Sequence, residues 1–188
     1  YNFQVHYPGA GVGGPCLPIN SYQFLNTAKR VGVKLSIIES GRRINEHMAD
    51  HVVELTSDAF KECNKLIKNS EILILGVSYK PNVKDTQLSP AKNIIKKFQN
   101  LGAHVHVYDP FFLSTEVFNL QVEDNIESIL QTMDGAIIVT GHDDFKKITI
   151  SSFAKMKNRV LIDTTGIIDP ISAKKENIVF RGLGRGSI

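Results

Sequence analysis

Only two cysteines, Cys16 and Cys63, occur among the 188 residues, and neither falls in a Cys-x-x-Cys or Cys/His ligand spacing. That argues against a disulfide framework and a metal cluster, and it suits a reducing, cytoplasmic setting. No run of about 18 apolar residues is present, so no membrane-spanning helix is expected. The start lacks a charged stretch followed by an apolar one, so no signal peptide is visible. Charge of one sign is not in excess either. A net charge of +3 does not argue for a nucleic-acid partner, and it leaves room for an anionic small ligand, since a local cluster matters more than the sum. An initiating methionine is also missing: Tyr1 leads almost directly into a glycine-rich loop, and the chain is expected to be part of a longer protein. What remains is an ordinary globular composition, 42% hydrophobic and 22% charged, long enough for one large domain or two small ones.

The densest local signal is Pro8-Gly-Ala-Gly-Val-Gly-Gly-Pro-Cys16-Leu-Pro18. Gly9, Gly11, Gly13 and Gly14 leave a backbone with little side-chain cover, which a ligand can approach closely. The spacing superficially resembles a dinucleotide loop. That loop needs a strand before it and a helix opening inside it, whereas here Pro15 and Pro18 follow and the next segments are helical. A thiol placed after such a loop, near a helix N-terminus, suggests covalent chemistry, because helix N-termini favour thiolates. The alternatives are a glycine hairpin without a ligand and a Cys16 that is a small buried hydrophobe.

Two halves differ in periodicity. Between about Asn20 and Lys68 it is helical. Asn20 or Ser21 is expected to cap a helix that stops at Gly32. A second segment begins near Ser36 or Ser40, and Arg42 to Lys68 contains neither Gly nor Pro. A helix of about 27 residues is roughly 40 Å long and usually packs on something beyond its own domain, such as another subunit. After Asn69 short apolar runs alternate with helical stretches. Strands are predicted at Glu71–Gly76, His104–Tyr108, Gly135–Thr140 and Arg159–Asp163, with a fifth near Ile178–Phe180. Ser89 and Pro90 read as an N-cap and first helical residue. The pattern predicts an α/β fold with a doubly wound parallel sheet in residues 69–188, following a helical region in residues 1–68. Ligands bind such sheets at the carboxyl ends of the strands, which directs attention to the loops after Gly76, Tyr108, Thr140 and Asp163.

Those loops carry several candidates. Lys80 and Lys84 are placed to receive a phosphate or carboxylate, against the plainer reading as solvated loop lysines. His142 and Asp143 look like an acid–base pair, against a surface turn. Arg181 and Arg185 form a basic flexible tail or, alternatively, a phosphate clamp. Cys63, between polar residues, reads as structural.

Together these residues resemble the UDP-glucose/GDP-mannose (UDP-N-acetylmannosamine) dehydrogenase family, in its central and C-terminal domains only. The glycine loop resembles the family's G-x-G-x-G-G-x-C-x-P signature. Arg42-Arg-Ile-Asn45-Glu-His-Met48 resembles its R-x-I-N-D-x-M stretch, and Gly76 to Pro90 resembles G-x-x-Y-K-P-x-x-x-D-x-R-x-S-P. Tyr108-Asp109-Pro110 and Gly182-Leu-Gly-Arg185 also fit. The resemblance implies a homodimer formed through the long helix and a Rossmann-like UDP-sugar-binding domain. It further implies NAD held mainly by a domain upstream, and a reaction of polysaccharide biosynthesis in which a sugar C6 alcohol is oxidised twice to the uronate. On that resemblance Cys16 is the nucleophile, with Asn20 beside it. Gly11, Gly13, Gly14, Tyr22, Tyr79 and Lys80 meet the sugar nucleotide, and Gln87 faces the cofactor. The Cys16-x-Pro-x-x-x-Tyr22 pattern leans toward an N-acetylhexosamine substrate.

Three positions depart from the family pattern. Asn20 stands where an Asp is usual and is a weaker proton acceptor. Gln87 stands where an Arg approaches NAD, and an Arg often found near Asn2 is missing. These departures motivate an alternative, a catalytically silent nucleotide-sugar-binding and dimerisation module. An unrelated Rossmann-like domain for another nucleotide is a third.

Overall fold

A computed structural model describes residues 7–185; the position near Asn2 lies outside them. Helix α1 (Leu17–Arg30) starts directly after Cys16, with Pro18 in its first turn, where a missing N–H costs nothing. The expected cap at Asn20 or Ser21 is therefore set too late. Helix α2 (Ser36–Glu62) has 27 residues; it starts at Ser36, one of the two expected positions, and ends well before Lys68, where the run free of Gly and Pro suggests a later stop. Its stop is Asn64, which takes a left-handed φ of 55°, while the Lys65 N–H reaches back to the Phe60 carbonyl at 3.0 Å. Asparagine closes the helix here in the way glycine more often does.

Then follow β1 (Glu71–Leu75), α3 (Pro90–Asn100), β2 (His104–Tyr108), a small hairpin of β3 (Glu116–Val117) and β4 (Leu120–Gln121), α4 (Ile126–Leu130), β5 (Gly135–Ile138), a 3-10 turn at Asp143–Lys147, α5 (Ile150–Phe153), β6 (Val160–Asp163), α6 (Pro170–Lys175) and β7 (Val179–Gly182). Helix α3 begins as expected, with the Ser89 side chain accepting from the Ala91 N–H. The hairpin and α6 were not anticipated, being too short for periodicity to reveal.

The five longer strands form one parallel sheet in the order β2-β1-β5-β6-β7. Alternate residues of each strand point to opposite faces. Ile72, Ile74, Ile137 and Ile162 pack under α2 and α3 with Val52, Phe60 and Phe98. Leu73, Leu75, Ile138 and Leu161 pack under α4, α5 and α6 with Leu130, Phe153 and Ala173. Gly135 admits the Phe60 ring: a Cβ there would lie 3.0 Å from it. The second half of α2 is thus a covering helix of the sheet. Among the described residues no helix is long and apolar enough to cross a membrane.

Candidate functional site

The chain leaves β1 for β2 on one side and returns to β5 on the other. The connections after β1 and β5 therefore diverge, and a crevice opens between them at the carboxyl ends of the strands. A cleft of about 420 Å³ lies there. Tyr79, Lys80 and Pro81 line it from the β1 side, Val139, Thr140 and Gly141 from the β5 side, and Thr165 and Ile167 from beyond β6. Pro8 to Gly11 of the glycine loop form a further wall.

Buried polar bonds fix this rim. Gly76 has φ 89° and passes so close to Thr140 that a Cβ would sit 2.6 Å from it. The Thr140 hydroxyl donates to the Ser78 carbonyl at 2.6 Å. Asp109, after β2, is fully buried. Its Oδ2 accepts from the Val77 N–H at 2.8 Å, from the Ser78 N–H at 3.2 Å and from His142 Nε2 at 3.0 Å. The Asn82 N–H donates to His142 Nδ1 at 2.9 Å, so the ring proton belongs on Nε2, facing Asp109. Burial pushes the Asp109 carboxyl up, but the bonds from His142 and from the Phe111 and Val77 amides outweigh it and hold the group below its ordinary value.

The expected His142–Asp143 pair is corrected by this geometry. His142 is buried against Asp109, while Asp143 is exposed and bonded to Asn82 and Lys146. Lys84 points elsewhere, with its ammonium 5.6 Å from the centre of the Phe112 ring. Lys80 is exposed on the cleft wall, 5.6 Å from the Tyr79 ring. The basic tail is also corrected. Arg181 is a buried β7 residue paired with Glu62, and Arg185 folds back onto the Gly166 and Ile168 carbonyls. Cys63 caps the end of α2, its thiol donating to the Asn158 carbonyl at 3.2 Å.

The glycine loop packs on protein. The Gly14 N–H donates to the Gln87 carbonyl at 2.9 Å, and the Val12 N–H donates to Asn45 Oδ1 on α2 at 2.7 Å. A Cβ on Gly13 would meet the Leu88 carbonyl at 2.5 Å, and one on Gly14 would meet the Tyr79 ring at 2.7 Å. Close backbone–protein packing thus accounts for both glycines without a ligand. On the loop's other side Gly11, Pro18, Tyr22, Arg42 and Asn45 line a second cleft of about 340 Å³, with the Arg42 guanidinium 5.1 Å from the Tyr22 ring centre.

Cys16 is exposed rather than a buried hydrophobe. It stands at the N-terminus of α1, outside the walls of both clefts. Asn20 is exposed one turn on, its N–H bonded to the Cys16 carbonyl at 2.8 Å. The structure therefore gathers Gly11, Tyr79 and Lys80 around one cleft and Gly11 and Tyr22 around the other. Gln87 is exposed beside the loop. The Asp109–His142 bond and the Asn45 anchor were missed. The motif Tyr108-Asp109-Pro110 at a strand end was the available signal for the first. The second joins residues 33 positions apart, and no local pattern announces it.

A parallel sheet of this order, with a crevice at its switch point, defines the doubly wound class of nucleotide-binding folds. Within that class the chain belongs to the UDP-glucose/GDP-mannose dehydrogenase family: residues 73–170 match its UDP binding domain and residues 1–47 its central domain. A UDP-N-acetyl-D-mannosamine dehydrogenase of Pyrococcus horikoshii is 35% identical over 188 residues, covering 98% of this chain and 41% of that protein. UDP-glucose 6-dehydrogenase of Bacillus subtilis is 28% identical, covering 96% of this chain and 39% of that protein. The solved structure of the UDP-D-ManNAc dehydrogenase from Pyrococcus horikoshii superposes with a TM-score of 0.85 at 32% identity, over 100% of this chain and 42% of that one. An NDP-N-acetyl-D-galactosaminuronic acid dehydrogenase from Methanosarcina mazei gives 0.87 at 26% identity, over 96% of this chain and 40% of that one. The chain thus spans about two fifths of the length of these relatives.

Proposed function

We propose that this chain is the C-terminal portion of an NAD-dependent nucleotide-sugar 6-dehydrogenase. The observation that carries this reading is the crevice at the switch point, with Tyr79 and Lys80 on one wall and the glycine loop that leads to Cys16 on another. Lys80 gives the cleft a cation for a diphosphate, and Tyr79 gives it an aromatic face. The sugar then extends along the loop toward Cys16. Tyr22 and the N-acetylhexosamine names of several relatives favour an N-acetylated sugar.

NAD, when bound, supplies the acceptor for two hydrides; it is held mainly upstream, with Gln87 offering an amide donor but no charge. Cys16 acts on the C6 aldehyde: a carbon–sulfur bond forms as the carbonyl π bond opens, the thiol proton passes to the former carbonyl oxygen, and the resulting tetrahedral thiohemiacetal keeps the aldehyde from escaping. After oxidation the product is a thioester, which water cleaves to the uronate and the free thiol. Asn20, next to Cys16 on α1, provides an amide where a carboxylate would accept a proton. The exposed apolar residues of α1 and α2, such as Phe24, Ile37 and Ile44, support a homodimer formed through the long helix.

In the full-length protein, Cys16→Ser should abolish net UDP-uronate formation, measured by NADH release with UDP-N-acetylmannosamine and UDP-glucose. Undiminished turnover would remove the nucleophile. UDP-sugar binding by the wild-type full-length protein without any NADH release would favour the silent module that Asn20 and Gln87 suggest.

A further inference from the structure

We infer that Asn45, on α2, is a positioning residue for Cys16; this rests on the proposal that Cys16 is the nucleophile. The loop before Cys16 is held at two points. The Gly14 N–H meets the Gln87 carbonyl at 2.9 Å, in the connection between β1 and α3. The Val12 N–H meets Asn45 Oδ1 at 2.7 Å, on the side of the long helix. Between these anchors Gly13 lies against the Leu88 carbonyl and Tyr79, and Cys16 stands two residues past Gly14.

Packing does not hold Val12 in place, since it is 51% exposed. Gly11, at φ 138°, and Gly14, at φ 88°, give the segment wide backbone freedom. A directional bond from a rigid element removes that freedom. Asn45 is such an anchor because α2 is itself locked to the sheet core by Ala49 and Val52 just beyond it. Its amide oxygen faces the Val12 donor, which sets the orientation of the side chain. Gly11 is favoured here by its φ of 138° and by Pro90, whose Cβ a side chain at this position would meet at 3.3 Å. Loss of the bond leaves the backbone before Cys16 held at Gly14 alone, a single pivot, while Tyr79 and Lys80 keep the nucleotide wall. Displacement of Cys16 should therefore lower turnover and leave nucleotide affinity intact.

In the full-length enzyme, Asn45→Ala is expected to lower kcat about tenfold, the scale of a small misplacement of a reacting group, with KM for the sugar nucleotide within about twofold. Asn45→Asp keeps the acceptor oxygen and should restore kcat to within about threefold of wild type. In this chain, amide exchange at Val12 should be slow in wild type and Asn45→Asp and fast in Asn45→Ala. An unchanged kcat in Asn45→Ala, kcat and KM shifting together, or Asn45→Asp no better than alanine would overturn the assignment. Should the alanine variant lose its helical circular dichroism, Asn45→Ser, too short to reach Val12, takes its place with the same expectations. The two readings fail separately. Turnover that survives in Cys16→Ser removes the nucleophile, and turnover lost there but untouched in Asn45→Ala removes only the positioning role.

Discussion

Residues 7–62 and residues 71–182 treat their apolar side chains differently. In the second region every residue of β5 and β6 is buried, and Leu73 and Leu75 are sealed on one face while Ile72 and Ile74 are sealed on the other. In the first, Phe24 is 60% exposed and Ile37 89%, although both sit on well-formed helices. From this region Ala10 and the later turns of α2, at Ala49, Val52, Ala59 and Phe60, reach the common core. A sheet with helices on both faces closes on itself. Helix α1, which packs on α2, and the first half of α2 do not, and their outer faces need cover from elsewhere.

Truncation of buried and exposed aromatics should separate the two regions most sharply. Phe60→Ala removes a ring held against Gly135 and should cost about 3–5 kcal/mol in urea unfolding, whereas Phe24→Ala should cost less than about 0.5 kcal/mol. Equal costs would mean that α1 is packed as tightly as the sheet. Asp109→Asn comes next. Replacing a buried charged acceptor with an amide at the rim should cost about 2–3 kcal/mol near neutral pH. The folded-state value of Asp109 is depressed below 3.8. Its contribution is therefore present above that ordinary value and is lost as pH falls through the lower folded-state value. Acid unfolding followed by circular dichroism should be shallower below about pH 4 in Asp109→Asn than in wild type. The smallest change in stability, under about 0.5 kcal/mol, belongs to the double variant Ile37→Asp with Ile44→Asp, two positions a heptad apart on α2. If the open face is a dimer interface, sedimentation should nonetheless show the variant monomeric where wild type self-associates. A wild-type monomer would place the cover elsewhere.

Strands β1, β5 and β6 were legible because buried parallel strands write themselves as short continuous apolar runs, and β2 because His104-Val-His-Val-Tyr108 alternates as a half-exposed strand does. Helix α3 was legible because Ser89 and Pro90 are local signals that act where they stand. The end of α2 was not, because Asn64 stops a helix only by adopting a left-handed conformation that its sequence neighbours do not demand. His142 was visible as a candidate and misassigned. The adjacent Asp143 is nearer in sequence, but Asp109 is the carboxylate that the parallel order of β2, β1 and β5 brings to it. Arg181 and Arg185 looked like a mobile tail because glycines flank them, whereas Glu62 and the carbonyls after β6 supply their partners.

By itself, the sequence determined the class of the protein. Periodicity implies an α/β sheet, and spaced motifs from Gly9 to Arg185 imply the dehydrogenase family, because both are carried by residues close together in the chain. The tertiary structure alone decided what each motif touches. It turned the glycines at 13 and 14 toward Tyr79 and Leu88, buried the Asp109–His142 bond, and hung the loop before Cys16 on Asn45. Such partners are chosen by strand order and helix docking, which bring distant positions within about 3 Å, and no local pattern encodes that distance.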